Sequence, residues 1–408
     1  MKLNQSLKIN DMPGPLKGTK VLELAQIMAG PACGLMLADL GADVIKIEKI
    51  PEGDDSRKFL PPDVKGESAA FMIMNRGKRG LGLNLKDKMG IDIFKKMVAK
   101  SDVVVENFRK GTLERLGIGY EELKKINPKI ILCEISGYGR TGPYANKGGF
   151  DLVAQGASGL MSITGESKEK PPMKVGAPLT DITAGILGAT GVLAALINRE
   201  KTGFGQKVDT SLFEAGIIHT YWQSAIAGAT GSSPGPLGSA HPLTAPYQAF
   251  KTKDKWITIG ASNQNSWMNL IKALKREDLN KDERFCNNKN RMKNLNALVE
   301  ILNIEISKKT SKEWLTIFDK EGLPCGPINS ILDMHIDSQT IHRKMIIDVE
   351  NKKAGKSKAI GMPIKFSNTN NEKFIGSPTL GEHTNQILEE FGFSITDIDK
   401  FKKNKVII

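Results

Sequence analysis

The chain has 408 residues, 40% hydrophobic and 25% charged, the balance of a globular protein long enough for two or three domains. Its net charge of +13 would suit nucleic acid, but aromatics make up only 6%, and the basic tracts between residues 276 and 312 hold only Phe285. We therefore expect a solvated lysine-rich surface and no nucleic acid partner. Four cysteines without a C-x-x-C pair and five scattered histidines predict neither disulfides nor a metal site.

No segment has the pattern of a membrane helix. The uncharged stretch Ala215–Phe250 is broken by Gly, Ser, Pro and His, and Ile182–Asn198 is short and rich in Gly, Ala and Thr. The second stretch predicts a tightly packed buried helix. Residues 1–20 lack the apolar run of a secretory signal, which predicts a cytoplasmic location, or the mitochondrial matrix for a eukaryotic source.

The first 150 residues alternate short apolar strands with helical patterns. The predicted strands are Lys20–Leu24, Val44–Glu48, Leu81–Leu85, Val103–Glu106 and Ile130–Ser136. The predicted helices between them are Pro31–Leu40, Asp87–Lys100 and Tyr120–Ile126. This alternation is typical of a Rossmann-like α/β domain, in which a mostly parallel sheet is covered on both faces.

The pattern changes after residue 150. Small-residue-rich helices are predicted at Phe150–Met161, Asp181–Asn198 and Gln206–Ala227, then a Gly/Ser/Pro-rich loop, a strand pair in Tyr247–Ala261, and a late helix at Thr384–Phe391. We predict a large domain in 1–225, a linker in 226–245, a smaller α+β domain in 246–330, and a segment 331–408 that returns to the large domain.

A glycine motif follows the strand Ile130–Ser136. Gly137–Gly142 matches G-x-G-x-x-G, which in a βαβ unit indicates a dinucleotide. Pro143 follows at once, so no long helix opens there, and no acid about 20 residues on ends a strand to hold a ribose. We predict a glycine-rich loop lining a ligand cleft.

Asp181 is the only acid between Glu169 and Glu200, and it precedes an uncharged helix. Two interpretations stay open. Aspartate is a favoured helix N-cap. A carboxylate held ionised where few waters reach it is also a nucleophile for an acyl thioester, with glycine-rich backbone to stabilise the oxyanion.

Basic residues recur near the ends of the first strands. They are Lys46 and Lys49, then Arg76, Lys78 and Arg79, then Arg109 and Arg115. Each alone fits a solvated surface charge, whereas together they could hold one anionic ligand such as a phosphorylated nucleotide.

Several ordered motifs resemble those of the class III CoA-transferase family, which includes formyl-CoA and carnitine CoA-transferases and α-methylacyl-CoA racemases. The resemblance covers residues 17–391 and is carried by GTKVLELAQIMAGPACGLMLADLGADVIKIE, GDDSR, NRGKRGLGLNLK, VVVENFRKGTLERLGIGYEEL, SGYGRTGPY, PLTDITAGILGATGVLAAL, KTGFGQKVDTSLFEA, APYQAFKTKD, LPCGPIN and LGEHT. It implies open-ring subunits interlocked as a homodimer, with coenzyme A as substrate and no permanently bound cofactor.

The resemblance also implies roles for individual residues. Asp181 stands at the family's catalytic aspartate, which carries acyl anhydride and CoA thioester intermediates. The CoA contacts implied are Lys49, Lys78, Arg79, Arg115, Tyr138 and Met28, the last in place of a glutamine of some members. The mobile glycine loop, which covers the reacting carboxylate in some members, is Gly235–Pro242. It supplies Gly238, Ser239 and His241 as substrate-loop residues, with His241 expected to face the acyl group. Its sequence resembles the dicarboxylate branch, so we expect succinyl-CoA as donor and a dicarboxylate acceptor.

Two alternatives remain for comparison. A racemase needs two acid/base groups, and the family's racemase histidine is replaced here by Phe150, which cannot carry a proton. The other alternative is a noncatalytic CoA-binding or nucleic-acid-binding protein, which the presence of Asp181 disfavours.

Overall fold

The computed structural model describes residues 14–369 and 375–408. Its packing divides the chain into two units. The first comprises residues up to Gly159, Val175–His219 and Ser338–Ile408, and the second Leu160–Lys174 and Thr220–Asp337. The sequence-based division differs in placing residues 160–174 and 220–225 in the large domain and 331–337 in the C-terminal segment. Residues 166–174 (ESKEKPPMK) are charged and contain two prolines, but nothing in that pattern assigns them to the second unit.

The strands of the described residues are short. They are β1 (Lys20–Glu23), β2 (Asp43–Glu48), β3 (Asp63–Val64), β4 (Glu67–Ser68), β5 (Arg79–Gly82), β6 (Val103–Glu106), β7 (Ile131–Ser136), β8 (Lys207–Ser211), β9 (Tyr247–Lys251), β10 (Trp256–Gly260), β11 (Cys325–Pro327), β12 (Ile346–Asn351) and β13 (Gly355–Ile360).

Helices connect and cover these strands. They are α1 (Ala29–Asp39), α2 (Ala69–Asn75), α3 (Lys88–Val98), α4 (Thr112–Arg115), α5 (Tyr120–Ile126), α6 (Asp151–Ala157), α7 (Leu179–Thr202), α8 (Leu212–Ile218), α9 (Tyr221–Thr230), α10 (Gln264–Ala273), α11 (Asn288–Lys293), α12 (Leu295–Ile306), α13 (Ser311–Lys320), α14 (Ile331–Ile336), α15 (Ser338–His342), α16 (Thr384–Glu390) and α17 (Ile395–Lys403).

A parallel six-stranded sheet in the order β5-β2-β1-β6-β7-β8 forms the centre of the first unit. Without the small β3–β4 hairpin, this is the 3-2-1-4-5-6 order of doubly wound nucleotide-binding folds. Successive residues of a strand point to opposite faces of the sheet, and each face has its own hydrophobic core. Leu22 packs with α3 residues on one face, and Val21 packs with α1 and α7 residues on the other. The predicted α/β class with a parallel sheet is confirmed.

The predicted helix Gln206–Ala227 is wrong at its start. Residues Lys207–Ser211 form β8, which pairs with β7 at the edge of the sheet, and the helix begins only at Leu212. The segment KVDTS alternates polar and β-branched residues, the pattern of a half-buried edge strand. No Gly or Pro separates this strand from the helix that follows, so no residue in the sequence marks the boundary between them.

The apolar helix α7 packs inside the first unit, as predicted. It has the length and hydropathy of a membrane span, yet its glycines fit closely against neighbouring elements. A Cβ at Gly185 would lie 2.8 Å from the Ala29 carbonyl oxygen, and one at Gly188 would lie 2.8 Å from Ile135 Cδ1. These close approaches identify α7 as a core helix against α1 and β7.

The second unit has its own core. The strands β9, β10 and β11 form an antiparallel sheet, with the predicted turn at Lys253-Asp254 between the first two. Buried side chains of α10, α12 and α13, including Trp267, Leu302 and Phe318, pack against it.

Candidate active site

A cavity of about 360 Å³ lies at the carboxyl end of the central sheet. Its wall includes Gln26–Ala29 after β1, Asn107–Lys110 after β6, and Ile135–Gly137 at the end of β7. Strand order reverses between β1 and β6, and open α/β sheets bind ligands in the crevice formed at such a point. Asp181 lies on the helix α7 rather than at a strand end, and it lines the same cavity.

Asp181 is the third residue of α7, which begins at Leu179, so of the two interpretations left open by the sequence the N-cap role is wrong. Its carboxyl group is mostly buried, and among the described residues no hydrogen bond engages it. Burial and the nearby charge of Asp151 raise its pKa to about 7. A carboxylate without hydrogen-bond donors keeps its lone pairs available for attack on an electrophile.

The capping role at α7 belongs to Asp151, the first residue of α6. Its Oδ1 accepts hydrogen bonds from the Thr180 amide at 2.9 Å and the Thr180 hydroxyl at 2.7 Å. Its Oδ2 accepts from Gln155 Nε2 at 2.8 Å. Asp151 therefore satisfies an N-terminal amide of α7 and leaves Asp181 free of that task.

The glycine motif forms a loop, and no helix opens until Asp151, as predicted. Gly139 and Gly142 have positive φ of 89° and 77°, a conformation that favours glycine. The Gly139 amide donates to Ser136 Oγ at 2.9 Å. A Cβ at Gly137 would lie 2.7 Å from Gly149 Cα, so two backbone segments of the cavity wall meet here and exclude side chains.

Arg140 fixes this loop to the strand ends. Its guanidinium pairs with Glu106 at the end of β6 and lies 3.2 Å from Glu134 on β7. Its Nη1 donates to the Phe108 carbonyl, and its amide donates to Asp209 of β8 at 3.0 Å. Burial raises the pKa of Glu106 to about 7 despite the arginine.

Positive charge lines the cavity at residues that follow β6 and the glycine loop. Arg109, Lys110 and Lys147 belong to the wall, and Lys147 Nζ lies 3.8 Å from the centre of the Tyr144 ring. Of these, only Arg109 stood among the basic residues noted in the sequence. An anionic ligand in the cavity would find these cations beside the Asp181 carboxylate.

Two of the residues predicted to contact CoA lie near this wall. Met28 is part of it, at the start of α1. Tyr138 is in the glycine loop, with ring centres 5.5 Å from Tyr144 and 5.6 Å from Phe213. Phe150, the residue that replaces the racemase histidine, also lines the cavity and is 72% exposed.

The structure does not support the predicted phosphate contacts of Lys78 and Arg79. Lys78 is 1% exposed, and its ammonium binds Glu23, Asn75 and the Pro31 carbonyl, so burial leaves it no access to a ligand. Arg79 begins β5 and pairs with Asp43 at the start of β2 and with Glu390. That is the amino end of the sheet, opposite the cavity.

Lys49 and Arg115 are exposed and remain predicted contacts. Lys49 pairs with Asp55 at 2.7 Å, and Asp55 is a residue of the cavity wall. Arg115 ends α4, which follows the β6 loop, and its Nη2 donates to the Thr112 hydroxyl at 3.0 Å.

The loop residues Gly238, Ser239 and His241 belong to the second unit. Gly238 has a positive φ of 59°, and Ser239 Oγ accepts the Ala249 amide at 3.0 Å. His241 Nδ1 accepts the Leu243 amide at 3.1 Å, which places the proton of the neutral ring on Nε2. The His241 ring lies against Trp222 and Tyr247.

Comparison with known proteins gives the chain its family. The profile of CoA-transferase family III matches residues 16–384. The chain is 39% identical to an acyl-CoA transferase of Fusarium pseudograminearum, over 97% of this chain and 88% of that one. It is 36% identical to succinyl-CoA:glutarate CoA-transferase of Mus musculus, over 93% and 87%. A crystal structure of a CaiB/BaiF family protein from Brucella suis superposes with a TM-score of 0.83 at 40% identity, over 93% of this chain and 100% of that one. The chain belongs to the class III CoA-transferase family.

Proposed function

We propose that this enzyme transfers CoA from succinyl-CoA to a dicarboxylic acid, with Asp181 as the covalent nucleophile. The observation that carries the proposal is the Asp181 carboxylate itself, mostly buried and free of hydrogen bonds among the described residues, in the cavity at the strand-order reversal. The identity of the acids rests on similarity to a succinyl-CoA:glutarate CoA-transferase.

The proposed reaction has four steps on the Asp181 carboxyl group. A carboxylate oxygen attacks the thioester carbon of the donor, the C–S bond breaks, and a mixed anhydride and CoA thiolate form. The thiolate attacks the aspartyl carbonyl and releases the donor acid, which leaves an aspartyl-CoA thioester. The acceptor carboxylate displaces the thiolate to give a second anhydride, and the thiolate then attacks the acceptor's acyl carbon. This releases the new thioester and restores the aspartate.

The site chemistry supports this route over a racemase. Proton removal from one face and return on the other needs two acid/base groups. Phe150 occupies the position where the family's racemases carry histidine, and its side chain cannot accept a proton. The cations Arg109, Lys110 and Lys147 of the cavity wall suit an anionic substrate.

The proposed mechanism predicts a pH dependence of acylation. The pKa of Asp181 is raised to about 7, and only the ionised form attacks, so the single-turnover acylation rate should fall roughly tenfold per pH unit below pH 6 and level off above pH 8. Asp151→Asn removes the neighbouring charge and should shift the falling limb to lower pH. Quench-flow measurement with succinyl-CoA checks both, and a rate independent of pH between 5 and 8 would contradict the assignment.

Chemical trapping tests the covalent intermediate directly. The enzyme is incubated with succinyl-CoA, quenched with hydroxylamine and analysed by peptide mass spectrometry. We expect a hydroxamate at Asp181, and none in Asp181→Asn or without donor. An unmodified Asp181 with several acyl-CoA donors, together with α-proton exchange of a chiral 2-methylacyl-CoA in deuterium oxide, would instead establish a racemase.

We further propose that the enzyme is an interlocked homodimer, as the family resemblance implies. The helices α9 and α14 bury no residue within the single chain. Their exposed apolar side chains include Tyr221, Trp222, Leu332 and Ile336. Such surfaces are typical of subunit interfaces.

A further inference from the structure

We propose that Asp54, paired with the buried Lys46, is a positioning residue that holds the turn Gln26–Met28 in the cavity wall against the reacting carboxylate of Asp181. This inference rests on the proposed acyl transfer. Nothing in the reaction uses Asp54 directly, since its carboxylate is enclosed by the protein and is 1% exposed.

The turn contains an unusual backbone conformation. Ile27 has a φ of 69°, in the left-handed region. A β-branched side chain is a genuine outlier there, and such strain persists only where surrounding contacts over-determine the conformation. Ile27 lines the cavity together with Asp181, so the strain is located where it can shape the site.

Two side chains hold the turn from opposite sides. The Ile27 amide donates to both Asp54 carboxylate oxygens, at 3.1 and 3.2 Å. On the other side, Asn107 Oδ1 accepts the Gln26 amide at 2.9 Å, and Asn107 Nδ2 donates to the Gln26 carbonyl at 2.8 Å. Asn107, which follows β6, thus binds the Gln26 amide and carbonyl, and Asp54, which follows β2, binds the Ile27 amide.

Asp54 is itself fixed by a buried cation. Lys46 Nζ binds Asp54 Oδ2 at 2.6 Å and the Ala25 carbonyl at 2.6 Å, immediately before the turn. Asp54 Oδ1 also accepts from the Ser56 amide and hydroxyl. Burial alone would raise the pKa of Asp54, but the Lys46 cation outweighs burial and holds that pKa below its usual range. Burial alone would lower the pKa of Lys46, but the Glu23 and Asp54 carboxylates hold that pKa above its usual range. Both groups are therefore charged, and the pair ties the turn to the strands β1 and β2.

The turn is coupled to Asp181 through α1. Met28 immediately precedes that helix, and a Cβ on Gly185 would lie 2.8 Å from the Ala29 carbonyl oxygen. Gly185 is one helical turn beyond Asp181 on α7. A shift of the turn would therefore move the start of α1 relative to the α7 segment that carries the reacting group, while the strand-end cations Arg109 and Lys110 remain in place.

The test compares variants of the intact enzyme in CoA transfer. We expect Asp54→Ala to lower kcat on the order of tenfold to 100-fold, because a misplacement of about 1 Å can cost that much, with KM for the acyl-CoA changed less than threefold. Asp54→Asn keeps an acceptor for the Ile27 amide and should retain more activity. Ile27→Gly in the Asp54→Ala background should restore much of the lost kcat, because glycine adopts positive φ without strain.

Asp39→Asn is the matched control, since it breaks a partly buried ion pair with Arg76 at the carboxyl end of α1, whereas the turn precedes the amino end of that helix. It should lower the Tm while leaving kcat within twofold of wild type. Wild-type kcat in Asp54→Ala, or a deficit that Ile27→Gly does not relieve, would overturn the positioning role. Failure of the wild-type enzyme to transfer CoA would refute the proposed function instead, and the two failures are therefore distinguishable.

Discussion

Asp181→Asn is expected to lower kcat on the order of 10⁴-fold or more, because the amide cannot form the anhydride on which every later step depends. Calorimetric titration should find CoA affinity within a few-fold of wild type, since the proposed nucleotide contacts Lys49 and Arg115 are other residues. The combination separates loss of the nucleophile from loss of the binding site.

The same substitution should leave the fold intact and more stable at alkaline pH. The folded-state pKa of Asp181, about 7, lies above its ordinary value of 3.8, so stability is lost as the pH rises from about 4 to about 7, and the full cost is present above pH 7. Asn removes that cost, and the free energy of unfolding at pH 8 should rise by roughly 1–3 kcal/mol, with little change at pH 4. Asp39→Asn again serves as control, with activity retained. Activity above a hundredth of wild type in Asp181→Asn would exclude Asp181 as the nucleophile.

The sequence was sufficient for the inner strands of the central sheet because burial on both faces leaves a simple pattern of apolar runs. Apolar runs such as Val103–Glu106, separated by helices, identified five of the six strands. The strand β8 was not predicted because Lys207–Ser211 is a polar edge strand, and its pairing with β7 is a tertiary contact. The pattern of apolar and polar residues in a sequence indicates which segments are buried, but it does not show which strand an edge strand pairs with.

The site was predictable only in part. Asp181 stood out as an isolated acid before an apolar helix, but Asp151 and Asp54 act through partners 29 and 27 residues away in the chain. Their roles depend on which loops the fold brings together. Lys78 and Arg79 show the converse: neighbouring cations in the sequence gave no indication that one is buried on Glu23 and the other lies at the amino end of β5.

Arg140→Met is expected to be the most destabilising of the substitutions considered, by about 3–5 kcal/mol at pH 8, because it leaves buried carboxylates without their cation. Glu106 and Glu134 are 1% and 5% exposed, and Arg140 lies between them. Lys207 Nζ binds Glu134 at 2.6 Å and can compensate that group, so the loss falls mainly on Glu106. Urea unfolding measures the change.

The pH dependence identifies the cause. The pKa of Glu106 is about 7 even with Arg140 present, above its ordinary 4.5, and loss of the guanidinium raises it further. A carboxyl group with a raised folded-state pKa destabilises the fold above that pKa, and this destabilisation is relieved as the group becomes protonated below it. The stability deficit of Arg140→Met should therefore shrink by about 1 kcal/mol or more between pH 8 and pH 6.

Arg276→Met is the control, at a more exposed arginine paired with Asp278 and Glu305. It should cost no more than about 1 kcal/mol and show no such pH trend. Equal losses for the two arginines at both pH values would mean that lost side-chain packing, rather than an uncompensated carboxylate, accounts for the effect. Because Arg140 also ties the glycine loop to the end of β6, a deficit with the expected pH dependence would identify charge pairing as the interaction that keeps this part of the cavity wall in place.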